Sequence, residues 1–151
     1  MTLTHPSPNH NSRGTNEVRV IVLHADASPN ERGCLSWIQS SESKVSYHVL
    51  IGRDGSVFTC VSYDRRAWHA GKAEWNGAKD VNGISIGVAF SNRNDGIEAL
   101  TNKQIEAAKK VIADIRTRYG THLPVTTHAA IAPGRKSDPE KCPGFRLSDY
   151  A

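Results

Sequence analysis

Residues 19–24 read Arg-Val-Ile-Val-Leu-His, an almost unbroken apolar run that stops at a histidine. Short continuous runs of this kind are typical of strands that are covered on both faces of a sheet. The next six residues, Ala-Asp-Ala-Ser-Pro-Asn, are typical of a loop that leads into a helix. We therefore predict a buried strand that ends at His24, followed by a helix over residues 31–40.

Further strands are indicated on the C-terminal side of this run. Residues 45–51 and 56–61 are rich in β-branched and aromatic side chains, and they flank the turn sequence Gly-Arg-Asp-Gly. Two such runs around Asp-Gly predict a hairpin. Residues 84–90 form another apolar run, and residues 124–128 form a short one that ends at His128. Both runs predict buried strands.

The clearest helix covers residues 102–119, where apolar side chains recur at helical spacing. Thr101 and Gln104 stand at the positions of a capping box at its N-terminus. Strands and helices in this order predict an α/β fold, in which a mixed β-sheet is flanked by helices. The 151 residues suit a single domain of this kind.

The composition limits the kinds of partner that this chain is expected to bind. No apolar run approaches the roughly 20 residues that cross a bilayer, and the N-terminus lacks the apolar region of a signal peptide. We therefore expect a chain made in the cytoplasm without a signal peptide, and no membrane partner. The formal charge is +4, but the basic residues are scattered, which argues against nucleic acid. We expect a monomer.

The N-terminal residues 1–17 are rich in Ser, Asn, Pro, Thr and His and contain little that could be buried. This composition predicts a flexible tail, with the folded domain over residues 18–151. The cysteines Cys34, Cys60 and Cys142 are odd in number and form no Cys-x-x-Cys pair, so the sequence predicts no disulfide framework.

Two of the seven histidines close predicted strands, at His24 and His128. If those strands are neighbours, both imidazoles emerge at the same edge of the sheet, where α/β proteins tend to carry their sites. The loop after His128 adds Lys136 and Asp138. A histidine, a lysine and an aspartate close together are the groups that metal-assisted amide hydrolysis uses.

Several short motifs accompany these histidines. They are Val-Leu-His at 22–24, Ser-Tyr-His-Val-Leu-Ile at 46–51, Arg-Asp-Gly at 53–55, Ala-Trp-His-Ala-Gly at 67–71, Ser-Ile-Gly-Val at 85–88 and Ala-Pro-Gly-Arg-Lys-Ser-Asp-Pro at 132–139. In these motifs the sequence resembles the zinc amidases of the N-acetylmuramoyl-L-alanine amidase type, over about residues 18–150. That group includes phage amidase lysozymes, AmpD-type recycling amidases and peptidoglycan recognition proteins.

The resemblance implies that His24, His128 and Asp138 bind one Zn²⁺, which leaves a fourth position for water. Cys142 is an alternative third ligand, because some relatives use a cysteine that is followed by proline. Asp138 is favoured because the His-x9-Asp spacing matches the recycling amidases. Lys136 also stands two residues before it, as the family lysine stands before its ligand.

The resemblance also implies two catalytic residues. Tyr47 corresponds to the tyrosine of phage amidase lysozymes and would hydrogen-bond the attacking water. Lys136 corresponds to their lysine and would stabilise the tetrahedral oxyanion. Trp68 and His69 are expected to line the cleft and contact the substrate. Structural roles remain open for Tyr47, Lys136 and Trp68.

These inferences predict a hydrolase that cleaves the amide bond between N-acetylmuramic acid and L-alanine in peptidoglycan or muropeptides. Recycling amidases carry a glutamate general base in the strand equivalent to residues 84–90, and this segment has no carboxylate here. We therefore predict a phage-type endolysin that acts on the cell wall after release. A cytosolic recycling amidase of anhydromuramoyl-peptides is the alternative, and a non-catalytic peptidoglycan-binding module is the third hypothesis.

Overall fold

The computed structural model describes residues 1–151, and its centre is a five-stranded mixed sheet. The strands of the chain are β1 (His10–Ser12), β2 (Val20–Ala25), β3 (Val49–Ile51), β4 (Val57–Thr59), β5 (Arg65–Ala67), β6 (Ser85–Phe90) and β7 (Val125–Thr127). The central sheet has the order β4-β3-β6-β2-β7. β2 pairs in parallel with both β6 and β7, β3 is parallel to β6, and β4 is antiparallel to β3. The predicted α/β fold with a mixed sheet is confirmed.

Helices cover both faces of this sheet. They are α1 (Glu31–Gln39), α2 (Val81–Ile84), α3 (Asn102–Tyr119) and α4 (His128–Ile131), with a 3₁₀ helix at Leu147–Tyr150. The apolar stripe of α3 packs on the sheet face that carries Ile21 and Val88, whereas α1 packs on the opposite face with Leu50 and Ala89. Because strand side chains alternate between faces, each buried strand supplies both cores.

The N-termini of α1 and α3 are capped by side chains at the positions that the sequence indicates. The side chain of Asn30 accepts a hydrogen bond from the backbone N–H of Gly33 and caps α1. Thr101 and Gln104 form the predicted capping box of α3. The expected strand over residues 84–90 begins one residue later, after the short turn of α2. No helix of the chain combines the length and apolar character that crossing a bilayer requires.

The N-terminal segment departs from the predicted flexible tail. β1 pairs in antiparallel fashion with β5, and Ser7, Asn9 and Arg13 are buried. The amide nitrogen of Asn9 faces the carbonyl oxygens of Ile38, Ser40 and Val45 at 2.9–3.1 Å. The segment has few apolar residues to bury, so it is held by polar contacts with backbone groups, which composition does not reveal.

Candidate active site

Two histidines meet at the end of the sheet. His24 is the fifth residue of β2 and is fully buried, and His128 follows β7 directly and starts α4. β2 and β7 are parallel neighbours in which Leu23 pairs with Thr127, so the next residue of each strand emerges at the same edge. The two Nδ1 atoms lie 3.1 Å apart. The proximity expected from the sequence is therefore present.

Asp138 joins this pair from the loop that follows α4. Its Oδ1 atom lies 3.2 Å from His128 Nδ1, and its Oδ2 atom lies 3.5 Å from His24 Nδ1. Oδ2 also accepts the backbone N–H of Ala25, and the backbone oxygen accepts the N–H of Ala129. Burial opposes ionisation of Asp138, but its close contacts with the two imidazoles outweigh this effect and hold the pKa of the carboxyl below its usual range.

The chemistry of this trio fits a divalent metal ion. One ligand atom from each residue lies within 4.8 Å of the others, and all three residues are buried. His128 Nε2–H donates to the carbonyl oxygen of Ala70 at 3.0 Å, which leaves a lone pair on Nδ1. Burial lowers the pKa of His24 to about 4, so its imidazole is neutral at pH 7. Two imidazoles and one carboxylate form an accepted set of protein ligands for catalytic zinc.

Cys142, the alternative third ligand, lies elsewhere. Its thiol contacts Asn92 Oδ1 at 3.3 Å, and the residue packs into the main hydrophobic core. Burial raises the pKa of this thiol to about 12, so it does not ionise readily. The geometry therefore favours Asp138 over Cys142, although the identity of the third ligand stays a prediction.

A cleft of about 860 Å³ opens above the trio, and the predicted catalytic residues line it. The ring of Tyr47 is half-buried and its centroid lies 5.1 Å from that of His24. Burial, with smaller contributions from Cys34, Asp138 and Asp26, raises the pKa of Tyr47 well above its ordinary value, so its hydroxyl stays protonated. Lys136 is exposed on the rim, where its ammonium group is free to reach a substrate.

The two predicted substrate-binding residues differ in their surroundings. Trp68 is half-buried in the cleft wall, and its Nε1–H donates to Asn11 Oδ1 at 3.2 Å. His69 is 7% exposed, and both of its ring nitrogens already have protein partners, at His24 and Ser85. It has no free nitrogen to offer a substrate. The sequence does not identify Ser85 as a site residue, and its only signal there is its place in Ser-Ile-Gly-Val.

Sequence reasoning also missed residues that shape the cleft. Trp37 is the only apolar side chain of α1 that is exposed, and it lines the cleft. Arg135 donates from Nη2 to the carbonyl oxygen of Ala70, the same oxygen that holds His128. Arg53 of the Arg-Asp-Gly motif binds Glu98 through two nitrogens, at 2.6 and 2.9 Å, and therefore fixes a loop rather than a substrate.

Comparison with known proteins agrees with this geometry. Residues 14–141, most of the chain, match the N-acetylmuramoyl-L-alanine amidase family. The chain belongs to this family. The buried His-His-Asp group is consistent with this family, and the chain is an N-acetylmuramoyl-L-alanine amidase.

The relatives of this amidase include enzymes named AmpD and AmiD. The 1,6-anhydro-N-acetylmuramyl-L-alanine amidase AmpD of Citrobacter freundii is 31% identical over 153 residues, which cover 89% of this chain and 81% of AmpD. The N-acetylmuramoyl-L-alanine amidase AmiD of Escherichia coli is 31% identical over 81% of this chain and 49% of AmiD. This amidase therefore spans only half of AmiD.

Solved structures show the same relationship. A crystal structure of AmpD superposes with a TM-score of 0.78 at 28% identity, covering 99% of this chain and 97% of AmpD. AmiD of E. coli, in complex with the substrate anhydro-N-acetylmuramic acid-L-Ala-D-γ-Glu-L-Lys, gives a TM-score of 0.72 at 28% identity, over 92% of this chain and 56% of that one.

Proposed function

We propose that this amidase uses zinc to cleave the bond between the lactyl group of muramic acid and L-alanine. The observation that carries the proposal is the buried convergence of His24, His128 and Asp138 beneath a cleft that holds Tyr47 and Lys136. These three residues would hold the ion. A bound zinc ion would lower the pKa of its water to about 7 and polarise the amide carbonyl.

The other residues of the cleft act on the substrate. The Tyr47 hydroxyl stays protonated, so it acts as a hydrogen-bonding partner that orients the attacking water and not as a phenolate base. The Lys136 ammonium group stabilises negative charge on the carbonyl oxygen as the tetrahedral state forms. Hydrolysis ends with the hydroxyl of water on the carbonyl carbon and its proton on the amine of L-alanine.

We propose soluble anhydromuramoyl-peptides, rather than intact cell wall, as the main substrate, which places the enzyme in the cytoplasm. Support comes from its relatives: AmpD amidases match over more than four fifths of their length at 29–31% identity. The rim of the cleft carries the cationic groups of Lys44, Arg135 and Lys136, which suit the carboxylates of a stem peptide.

A lytic role is the second candidate, and one observation favours it. The strand position expected for a glutamate base lies in β6, which contains no carboxylate, and Ala89 of this strand packs with Leu50, Cys60 and Cys34. Tyr47 lies over this apolar cluster. A tyrosine without a glutamate is the pattern of phage amidase lysozymes, which act on the wall after release.

Parallel assays on two substrates distinguish the recycling role from the lytic role. Initial rates are measured on a soluble anhydromuramoyl-tripeptide and on purified sacculi, by following the new amino terminus of L-alanine. We expect at least tenfold faster turnover of the soluble substrate, loss of activity with EDTA and recovery with added zinc. Faster release from sacculi would favour the lytic role, and full activity in EDTA would refute the zinc mechanism.

A further inference from the structure

His69 connects a predicted metal ligand to the sheet. Its Nδ1 atom lies 2.8 Å from His24 Nε2, and its Nε2 atom lies 2.9 Å from Ser85 Oγ. All three residues are buried, so no solvent competes for these hydrogen bonds. The three side chains form one line that runs from the candidate metal site into the interior of the sheet.

The hydrogen positions along this line follow from the role of His24. A neutral imidazole can bind a metal through Nδ1 only when Nε2 carries the hydrogen. His24 Nε2–H then donates to His69 Nδ1, which must be an acceptor. The hydrogen of His69 is consequently on Nε2, where it donates to Ser85 Oγ. His69 thus fixes the tautomer of His24, Ser85 fixes the tautomer of His69, and the serine hydroxyl is the last group of this series.

The strand that carries Ser85 also makes room for the ring. Ser85 and Gly87 are two residues apart in β6, so they point to the same face of the sheet. A Cβ atom at Gly87 would lie only 2.5 Å from His69 Cγ and 2.7 Å from His69 Cδ2. Only glycine leaves this space. In the sequence Ser-x-Gly, the serine thus supplies a hydrogen-bond partner and the glycine leaves space for the imidazole ring.

The backbone of His69 is also fixed by hydrogen bonds. The side-chain oxygen of Asn82 accepts the N–H of His69 at 3.1 Å and the N–H of Ala70 at 2.8 Å. The carbonyl oxygen of Ala70 in turn accepts from His128. The same short segment therefore orients both histidines of the candidate metal site, one through a ring and one through a peptide oxygen.

We propose that His69 and Ser85 are positioning residues that hold His24 in the tautomer and orientation that metal binding requires, and that His69 does not contact the substrate. This inference rests on the proposed role of His24 as a zinc ligand. Partners of this kind typically contribute a factor of about 10–100 to metal affinity.

A matched pair of variants tests the proposal through metal affinity. His69→Leu removes the acceptor, whereas His69→Asn is smaller but can place an amide oxygen where Nδ1 stood. Zinc dissociation constants are measured on the full chain by competition with a chromophoric chelator. We expect His69→Leu to bind zinc about 10–100-fold more weakly, and His69→Asn to stay within a few-fold of the parent.

Kinetics and a second variant separate positioning from substrate contact. With zinc at saturation, both His69 variants should keep the KM of the parent, because no substrate contact is lost. Ser85→Ala leaves the ring of His69 in place and, like His69→Leu, should weaken zinc binding. Parental zinc affinity in His69→Leu and Ser85→Ala, or a raised KM with unchanged zinc affinity, would overturn the proposal.

A spectroscopic measurement keeps this inference distinct from the proposed function. Imidazole ¹⁵N shifts of the metal-free chain report which nitrogen of each buried histidine is protonated. We expect Nε2–H on both His24 and His69. An Nδ1–H form of His24 would overturn the inference even if the chain binds zinc, whereas a parent that binds no zinc would refute the proposed function.

Discussion

Replacement of Arg13 by alanine should destabilise the whole domain. The side chain is only 7% exposed. Its guanidinium donates to three backbone carbonyls: Tyr63 from two nitrogens, at 2.8 and 3.1 Å, Asn82 at 3.2 Å and Gly83 at 3.1 Å. These carbonyls belong to the segments before and after the predicted Trp-His motif. Arg13 therefore joins the N-terminal segment to the backbone that positions His69.

The expected cost follows from the acceptors that the variant leaves unpaired. Each buried carbonyl without a partner costs about 1–3 kcal/mol. Three of them would cost roughly 3–9 kcal/mol in a dry site. The part-buried Tyr63 carbonyl can reach water, and the variant no longer has to bury a charge, so we expect about 3–6 kcal/mol. Domains of this size are stable by about 5–15 kcal/mol, so the loss is a large share of the total.

Urea unfolding at 25 °C measures this directly, with Arg32→Ala as the matched control because Arg32 is exposed and forms no hydrogen bond through its side chain. We expect Arg13→Ala to lose several kcal/mol of unfolding free energy, and the control to stay within about 0.5 kcal/mol of the parent. Arg13→Lys should lie between them. A change below about 0.5 kcal/mol in Arg13→Ala would refute the reasoning and restore the flexible tail that composition suggested.

Three further predictions concern the site and its surroundings. Asp138→Ala should lose zinc and activity while Cys142→Ser keeps both, and elemental analysis of the purified variants decides between the two ligands. Lys136→Ala should lower kcat by about 10²–10³-fold while zinc stays bound, because oxyanion stabilisation is lost and no ligand is removed; unchanged turnover would exclude this lysine from the mechanism. Burial lowers the pKa of His48 to about 3, whereas an unfolded histidine titrates near 6.5. The unfolded state therefore binds more protons between these pH values, so stability should be full above pH 6.5 and fall as the pH drops toward 3. The metal-free parent should lose more unfolding free energy between pH 7 and 5 than His48→Gln does, and equal losses would contradict the argument.

The strands and the site histidines were accessible from the sequence because their signals are local. An apolar run that ends in a histidine specifies both a buried strand and the edge where its last side chain lies. The helix over residues 102–119 was equally clear, since its stripe and its capping box agree. Asp138 needed the family resemblance, because nothing in a loop of this composition indicates which carboxylate turns inward.

The N-terminal segment and the role of His69 could not be obtained in this way. Asn9 and Arg13 are polar residues in a polar stretch, and their partners are backbone carbonyls more than 25 positions away. Side-chain bonds to distant backbone leave no periodicity in a sequence. His69 lies in a cleft-lining motif, and only the distances to His24 and Ser85 reveal that both ring nitrogens are taken.

The three groups of the candidate metal site come from different parts of the fold, and this has a consequence for the ions that the site would prefer. The spacing of the two imidazoles is fixed by the pairing of β2 with β7, so it cannot change without rebuilding the sheet. The carboxylate comes from the loop after α4, where one backbone N–H, that of Ala25, donates to it and the backbone oxygen of Asp138 accepts the N–H of Ala129. Hard oxygen and soft sulfur donors favour different ions. If Asp138 is the third ligand, as proposed, we expect Asp138→Cys to shift the preference of the site toward a softer metal ion while the rest of the scaffold stays as it is.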